Sequence, residues 1–254
     1  QVPPSLWAAH KYDVGLITGA TPLVVHPKSE YRPCLKQYPL KQEAIDGITP
    51  VFEALLKAGI IVPCNDSPER TPMFSVKKIR EEGQPTEWRF VQDLKAVNAA
   101  VYQRAPELPN PHTILSLIPP DTTHFSVADL ANAFFSVPVH PDSQYWFAFS
   151  FKGRGYTWTR CPMGYHESPG VFHRALSDNL KSLHLPRGSA LVQYVDDLLV
   201  CSPSEEVCEI DTVVLLKHLA DNGHKVSQQK LQSVKKQVTY LGHVITGGSK
   251  SLSP

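Results

Sequence analysis

The chain has 254 residues, of which 42% are hydrophobic and 19% charged, and its formal net charge is +1. A chain of this length can form one large domain or two smaller subdomains, and the composition is typical of a globular protein. No apolar run approaches the roughly 20 residues that a membrane-spanning helix needs. The first residues also lack the basic-then-apolar pattern of a secretory signal, so we expect neither a membrane anchor nor a targeting signal.

The five cysteines are an odd number and form no CxxC pair, and no two histidines stand at HExxH spacing. This pattern argues against structural zinc and against a disulfide framework, and it favours reduced thiols. Residues 222–254 contain no Asp or Glu and carry several lysines, and a second basic cluster spans residues 77–104. Such clusters suit contacts with phosphate groups, although a solvated surface is the alternative.

The first half of the chain predicts few regular elements between many prolines. In chain order they are a helix over Gln42–Ala58, a hairpin of strands Met73–Ile79 and Glu87–Gln92, and a helix over His112–Ile118. Thr49-Pro50 marks a kink or restart of the first helix, since Thr suits an N-cap and Pro the first helical position. The polar turn 80–86 would give the hairpin an exposed basic tip.

The second half is richer in apolar segments. Its predicted elements are a strand His124–Leu130, a sheet pair Gln144–Phe151 and Gly155–Arg160, a helix Glu167–Leu183, strands Ala190–Val195 and Leu198–Cys201, a helix Glu205–Asn222 and a strand Thr239–Ile245. The last helix is expected to turn inward Val207, Ile210, Val213, Val214, Leu216 and Leu219. Strands and helices without regular βαβ alternation predict an α+β fold, with an antiparallel sheet covered by helices on one face.

Two adjacent carboxylates, Asp196 and Asp197, stand between the apolar stretches 190–195 and 198–201. Neighbouring side chains of a straight strand point to opposite faces, so both can approach one site only at a tight turn. A simple polar hairpin turn is the ordinary interpretation, because Asp is common in turns. However, strands this apolar are buried, and two like charges beside a core repel each other unless a cation neutralises them.

A third carboxylate for such a site is Asp129, which closes the apolar strand that begins at His124. The alternative role for Asp129 is the N-cap of the turn that follows. A strand-end Asp and an Asp pair at a turn form the set that two magnesium ions need. One ion activates an attacking hydroxyl and the other stabilises a leaving oxygen. A metal-dependent nuclease would need a further carboxylate cluster, whereas the remaining acids resemble a solvent-facing helix start at Glu205, Glu206 and Glu209.

Several short motifs then follow one another in a fixed order. They are Gln37-Tyr38-Pro39-Leu40, Trp88-Arg89-Phe90-Val91-Gln92-Asp93-Leu94-Lys95-Ala96-Val97-Asn98, Leu108-Pro109-Asn110-Pro111, Ala133-Phe134-Phe135, Gly164-Tyr165-His166-Glu167-Ser168-Pro169, Tyr194-Val195-Asp196-Asp197 and Tyr240-Leu241-Gly242. Through them the chain from Leu35 onward resembles retroviral reverse transcriptases, most closely the gammaretrovirus-like branch. The resemblance implies a right-hand polymerase with fingers and palm, and a nucleotidyltransferase that adds deoxynucleotides to a primer.

The resemblance also implies roles by position. It assigns catalysis and two Mg²⁺ ions, with Mn²⁺ as a substitute, to Asp129, Asp196 and Asp197, and it places Leu130 beside the metals. Binding of the incoming nucleotide falls to Lys78, Arg89, Asn132, Ala133, Phe134 and Met163. Contacts with primer and template fall to Tyr194, Leu241, Gly242, Lys235 and Lys236. From the residues alone, Phe134 would be a core side chain, and the hairpin lysines would be solvated.

Two positions depart from the family pattern. Met163 stands where the family usually has a Gln that touches the nucleotide sugar, and methionine cannot reproduce the hydrogen bonds of an amide. This departure puts normal substrate affinity or fidelity in doubt. Asn132 stands where Asp is usual, which should be tolerated if only the backbone amide is used.

The resemblance divides the chain into segments with separate roles. They are an N-terminal arm 1–34, mainly fingers 35–123, palm with a return into the fingers 124–160, palm 161–245 and the start of the thumb connection 246–254. The thumb, connection and ribonuclease H parts of the family enzyme are expected to be missing. The expected partners are template with primer and deoxynucleoside triphosphates, for a monomer in the virion or host cytoplasm. The alternative is a non-catalytic nucleic-acid-binding module derived from a polymerase.

Overall fold

The computed structural model describes residues 2–78, 82–84, 86–104, 107–247 and 249–252, the last four by their backbone alone. The chain divides into two compact units. The first comprises residues 1–20, 106–136 and 169–254, and the second comprises residues 21–105 and 137–168. The described strands pair antiparallel throughout, which confirms the predicted α+β class. None of the helices described is long and apolar enough to cross a membrane.

The second unit contains two small sheets and two helices. Its elements are α1 (Gln42–Lys57), β1 (Ile61–Pro63), β2 (Met73–Lys78), β3 (Glu87–Gln92), α2 (Lys95–Ala100), β5 (Phe149–Phe151) and β6 (Arg154–Trp158). Strands β2 and β3 form a hairpin, and β1, β6 and β5 form a sheet in that order. Helix α1 runs through Pro50 as one element. The predicted hairpin tip, residues 80–86, lies partly outside the described residues.

One face of the β2–β3 hairpin packs on helix α1. The ring of Trp88 lies so close to Gly47 that a Cβ there would be 2.4 Å from the indole. The ring centroid of Phe90 is 5.9 Å from that of Phe52 on the helix. Because successive strand residues point to opposite faces, Lys78 and Arg89 are left on the other, solvent-facing side.

The first unit is built on a four-stranded sheet in the order β7-β8-β4-β9. Its elements are α3 (Pro111–Leu115), β4 (His124–Asp129), α4 (Ser168–Leu180), β7 (Ala190–Tyr194), β8 (Asp197–Ser202), α5 (Glu205–Asp221), β9 (Gln232–Lys235), β10 (Gln237–Tyr240), β11 (His243–Thr246) and β12 (Ser249–Leu252). The last three strands form a second sheet.

The two-residue period of strands decides which side chains share a face of the four-stranded sheet. Phe125 and Val127 of β4 pair with Cys201 and Leu199 of β8, and all four belong to one buried cluster. The cluster is completed by side chains of α3, β7, β10 and β11. The other face of the sheet meets α5, where the hydroxyl of Ser126 lies 2.7 Å from that of Thr212.

The prediction of which α5 side chains face inward is correct for Leu216 and Leu219 and wrong for the other four residues. The side chains that the helix buries are Cys208, Asp211, Thr212, Leu215, Leu216 and Leu219. Two of these are polar, and each has partners at the buried face. The carboxylate of Asp211 accepts hydrogen bonds from the amides of Arg187 (3.0 Å) and Ser189 (2.9 Å). Because Asp211 and Thr212 have polar partners on this side, the helix buries the face that carries them. Four of the residues predicted to face inward are only partly buried: Val207, Ile210, Val213 and Val214.

Two predicted strands are also corrected. Residues 141–147 form a 3-10 helix that Pro141 opens, so the strand expected from Gln144 begins only at Phe149. The strand expected over Thr239–Ile245 is a hairpin of β10 and β11 instead. Its two turn residues, Leu241 and Gly242, both have positive φ (53° and 75°). Positive φ at both central positions is the geometry of tight hairpins.

Candidate active site

The site begins with two carboxylates on neighbouring strands. Asp129 ends β4 and Asp197 begins β8, and they are cross-strand partners in the antiparallel register. They continue the row of buried apolar pairs described above, so both point to the same face of the sheet. The amide of Leu130 donates to the carbonyl of Asp196 (3.0 Å), which ties the end of β4 to the β7–β8 turn.

The turn that carries Asp196 is a two-residue hairpin. Tyr194 pairs with Asp197, so Val195 and Asp196 are its central residues. Val195 has φ of +50°, which is rare for a β-branched residue and typical of a strained position. The hydroxyl of the buried Tyr240 donates to the carbonyl of Asp197 (2.9 Å), so the start of β8 is also held from the β10 side.

Burial and mutual repulsion control the charge of these carboxyls. Burial, followed by the charges of Asp196 and Asp129 and the hydrogen bond with Asp129, raises the pKa of Asp197 to about 7. Burial also raises the pKa of Asp196, and the charge of Asp129 adds to that shift. The ammonium of Lys230 opposes both shifts, and its Nζ lies 3.4 Å from Oδ2 of Asp129.

The donor chemistry of this group suits a hard divalent cation. Magnesium prefers carboxylate oxygens, and a close pair of carboxylates must be neutralised by a proton or a cation. Lys230 supplies part of that neutralisation here through its ion pair with Asp129. In the part of the chain that the structure describes, no three His, Cys, Asp or Glu side chains stand at metal-binding spacing. The arrangement is therefore a carboxylate pair with Asp196 in electrostatic range.

A second group of predicted residues follows β4 directly. Asn132 adopts φ of +49°, a conformation that Asn tolerates better than most residues, and its side-chain amide donates to the carbonyl of Lys11. Ala133 begins a 3-10 helix that runs to Ser136. Phe134 is half-buried, with its ring centroid 6.3 Å from that of Phe172 on α4. These residues share the first unit with the three carboxylates.

The predicted triphosphate ligands belong to the second unit. Lys78 pairs with Glu87 across the β2–β3 hairpin, and Arg89 pairs with Val76. The two cations are thus diagonal neighbours on one exposed face. Lys77 lies on the opposite face, where it forms an ion pair with Glu43 (3.1 Å). The hairpin therefore separates a structural lysine from two solvent-facing cations.

Met163 is also in the second unit, and 61% of its surface is exposed. The turn that follows it is fixed by Asn98 at the middle of α2. The Asn98 side chain donates to the carbonyl of Gly164 (3.0 Å) and accepts from the amide of His166 (3.0 Å). Gly164 has φ of +90°, a conformation that favours glycine.

The predicted primer and template residues lie in the first unit around β10. Tyr194 and Leu241 are partly buried against the cluster that Tyr240 completes. Gly242 is exposed in the β10–β11 turn. The two lysines are exposed at and just after the end of β9: Lys235 and Lys236.

Three residues at the site escaped the sequence analysis. Lys230 forms the ion pair with Asp129, and no short-range pattern announces that contact. The side chains of His173 on α4 and Gln193 on β7 bond to the backbone amide and carbonyl of Val195 in the β7–β8 turn. A residue that bonds to the backbone of a distant turn leaves no mark on the turn's own sequence.

Known proteins resemble the chain over its whole length. A family model described as "Reverse transcriptase (RNA-dependent DNA polymerase)" matches residues 76–245. The chain is 42% identical over 262 residues to the Gag-Pol polyprotein of Koala retrovirus, and 39% identical over 255 residues to that of Walleye dermal sarcoma virus. Both alignments cover 100% of this chain, but only 15% and 14% of the two polyproteins.

Solved structures give a matching result. A foamy viral protease-reverse transcriptase in complex with RNA/DNA hybrid superposes with a TM-score of 0.85 at 28% sequence identity, over 98% of this chain and 32% of that one. A foamy viral structure in complex with double-stranded DNA gives the same score and identity, over 98% and 42% of the two chains.

Proposed function

The chain belongs to the reverse transcriptase (RNA-dependent DNA polymerase) family, and from this premise we propose that it is the catalytic part of a polymerase that extends a primer on an RNA or DNA template. Its substrates would be deoxynucleoside triphosphates. The first unit would act as the palm and the second as the fingers. Solved relatives hold an RNA/DNA hybrid or double-stranded DNA, which supports template with primer as the partner.

The observation that carries this proposal is the pairing of Asp129 with Asp197. Two carboxylates meet opposite each other at the end of a buried row, beside Asp196 in a tight turn. A structural role alone does not account for this arrangement, because the like charges repel and the charges of Asp196 and Asp129 raise the pKa of Asp197. A site for divalent cations does account for it, since a cation turns the repulsion into binding energy.

The mechanism follows from the chemistry of these residues. Asp129, Asp196 and Asp197 would hold two Mg²⁺ ions, with the backbone at Leu130 beside them. Bound metal would activate the primer 3′-hydroxyl and stabilise the leaving oxygen. The 3′-hydroxyl would give its proton to solvent water, and its oxygen would attack the α-phosphorus while the bond from the α-phosphorus to the bridging oxygen breaks and pyrophosphate leaves. The protein contributes position and charge rather than a covalent intermediate.

The other predicted residues would bind the nucleotide and the primer. Lys78 and Arg89 are exposed cations on one face, as ligands of a triphosphate must be. Asn132 and Ala133 would present backbone amides, and Phe134 would exclude a ribose 2′-hydroxyl. Met163 would pack against the sugar. Primer and template would contact Tyr194, Leu241, Gly242, Lys235 and Lys236.

A primer-extension assay tests the proposal. The chain is incubated with a template-primer, deoxynucleotides and Mg²⁺ or Mn²⁺, and single-nucleotide incorporation is followed. We expect Asp197→Asn to reduce the incorporation rate by at least about 100-fold. Asp221→Asn, which neutralises an exposed carboxylate at the end of α5, is the matched control and should leave the rate unchanged.

The rival function is a module that holds template-primer without extending it. The lack of a three-ligand cluster among the described residues favours this rival. Tight binding of template-primer by the wild-type chain, with no incorporation at millimolar Mn²⁺, would decide for the rival. Incorporation that survives Asp197→Asn would overturn the carboxylate assignment itself.

A further inference from the structure

The β7–β8 turn has a strained backbone at Val195, a residue type that rarely adopts this conformation. Val195 is buried, β-branched and held at φ of +50°, a conformation in which hairpins usually use glycine. Such a conformation is unfavourable for a β-branched residue and persists only when its surroundings enforce it. The pairing of Tyr194 with Asp197 closes the ladder outside the turn, so the ladder leaves the two central residues without strand partners.

The enforcing contacts come from α4 and from β7. Nδ1 of His173 accepts a hydrogen bond from the amide of Val195 (3.3 Å). Nε2 of Gln193 donates to the carbonyl of Val195 (3.3 Å) and to the carbonyl of His173 (3.2 Å). Both backbone polar groups of Val195 are therefore hydrogen-bonded. The amide bonds to His173 directly, and the carbonyl is linked to His173 through the side chain of Gln193.

The chemistry of the imidazole fits this role. Nδ1 of His173 faces two donors, the Val195 amide and, at 3.5 Å, the Gln193 side-chain amide. A nitrogen that faces two donors must be unprotonated, so the ring carries its proton on Nε2. Burial lowers the pKa of His173, which favours the neutral ring that this contact needs.

We propose that His173 is a positioning residue of the active site, which holds the Val195 backbone so that Asp196 and Asp197 are presented to the metal ions and Asp129. Among the residues that the structure describes, its imidazole contacts the Val195 amide and the Gln193 side chain and none of the three carboxylates, so it acts through the turn. This inference rests on the proposed polymerase function for its purpose. The contact between helix and turn can be tested without that function.

The experiment compares three substitutions of His173. Oδ1 of Asn takes nearly the position of the imidazole Nδ1, so His173→Asn keeps the acceptor. His173→Leu removes it. His173→Gln stays polar but places its acceptor one bond farther, where Nε2 was, so it should behave like the Leu variant even if the Leu variant fails to fold. Amide hydrogen exchange, Mn²⁺ affinity and single-nucleotide incorporation are measured for each folded variant.

For His173→Leu and His173→Gln we expect the Val195 amide to exchange at least about 10-fold faster, while amides in the middle of β7 and β8 keep their rates. Mn²⁺ affinity and kcat should fall by about 10-fold or more, as for other residues that orient metal ligands. The KM for the nucleotide should stay within about twofold, because triphosphate contacts are untouched. His173→Asn should restore all three quantities.

Two results would overturn the proposal. One is unchanged exchange at Val195 in the Gln variant. The other is a His173→Asn variant that is as impaired as His173→Gln. That result would show that an acceptor at the position of Nδ1 does not hold the turn. If the wild-type chain incorporates no nucleotide, the proposed function fails, but Val195 exchange and Mn²⁺ affinity still decide whether His173 positions the turn.

Discussion

Asp129 and Asp197 lie directly opposite each other on the antiparallel strands β4 and β8. Burial, followed by the charges of Asp196 and Asp129, raises the pKa of Asp197 to about 7. The ammonium of Lys230, 3.4 Å from Oδ2 of Asp129, supplies part of the positive charge that a divalent cation would bring. The protonation of Asp197, the stability of the folded chain and the binding of a divalent cation should therefore depend on one another.

The first prediction concerns the pH dependence of stability. The pKa of Asp197 rises from 3.8 to about 7 on folding, so the folded state binds more protons than the unfolded state in that interval. The free energy of unfolding of the metal-free chain should therefore fall as pH rises from 3.8 to about 7. Asp197→Asn should flatten this part of the profile and raise the melting temperature at pH 8.

Addition of Mn²⁺ completes this test. At pH 8 we expect Mn²⁺ to raise the melting temperature of the wild-type chain, because only the folded state brings the carboxylates together. At pH 5 the shift should be smaller, since protons compete with the metal. Asp197→Asn should abolish the shift, whereas the Asp221→Asn control should keep it. An equal Mn²⁺ shift in both variants would place metal binding elsewhere.

The second prediction concerns Lys230, whose Nζ lies 3.4 Å from Asp129. A metal ion must compete with this ammonium for the carboxylate. Lys230→Met should therefore raise Mn²⁺ affinity, by at most about fivefold because the lysine side chain is largely exposed and the pair is weak. The gain should shrink at high salt. Titration of Mn²⁺ measures it, with Lys235→Met as the matched control; equal affinities in the two variants would contradict the prediction.

The local part of the site could be predicted from the sequence, whereas the contacts between distant segments could not. The turn at Asp196 follows from its apolar flanks, because such flanks form strands and a carboxylate pair stands between them. The pairing of β4 with β8 depends on register, which is a property of the whole sheet. It brings Asp129 to Asp197 across a large separation in the chain. The need for a third carboxylate predicted that Asp129 would join the pair, and the family resemblance implied the same, but neither gave the register that sets Asp129 opposite Asp197.

The wrong face of α5 has a similar cause. Periodicity places apolar residues on more than one stripe of this helix, and hydrophobicity alone favoured the stripe with Ile210 and Val213. The structure buries Asp211 instead, because the amides of Arg187 and Ser189 satisfy its carboxylate. Burial of a polar side chain costs little free energy only when hydrogen-bond partners are present. Here the partners come from the loop that precedes β7, so the helix sequence alone does not reveal them.

The third prediction concerns Asn132. Its side-chain amide donates to the carbonyl of Lys11, so it ties the N-terminal arm to the turn after β4. A carboxylate cannot donate, and Asn132→Asp should therefore destabilise the chain by about 1 kcal/mol. Cleavage of the arm in limited proteolysis should become faster. Asn132→Gly, which suits the φ of +49° but also lacks the donor, is the matched control.

Both variants should release the arm if the hydrogen bond matters. Release in the Asp variant alone would instead point to charge repulsion. Unchanged cleavage in both would show that the arm is held by its other bonds, such as those between residues 6–8 and Val226.

The fourth prediction concerns Glu69, which is fully buried in the second unit. Neither carboxyl oxygen accepts or donates a hydrogen bond among the residues that the structure describes. Burial raises the pKa of Glu69 to about 9, and the charge of Arg32 offsets only part of this shift. With this pKa the carboxyl holds its proton in the folded chain at neutral pH. At higher pH the folded chain has to bury a negative charge at Glu69 or expose the side chain to water.

The sign of the effect follows from proton binding. Between 4.5 and about 9 the folded state holds a proton that the unfolded state has lost, so stability should fall as pH rises through that interval. Glu69→Gln has the shape of the neutral acid and no charge to bury. Its free energy of unfolding should exceed that of the wild type by about 1–3 kcal/mol at pH 9, with little difference at pH 5. Glu53→Gln, which changes an exposed carboxylate of α1, should leave the profile unchanged. Parallel profiles for wild type and Glu69→Gln would show that the carboxyl finds a partner in solution.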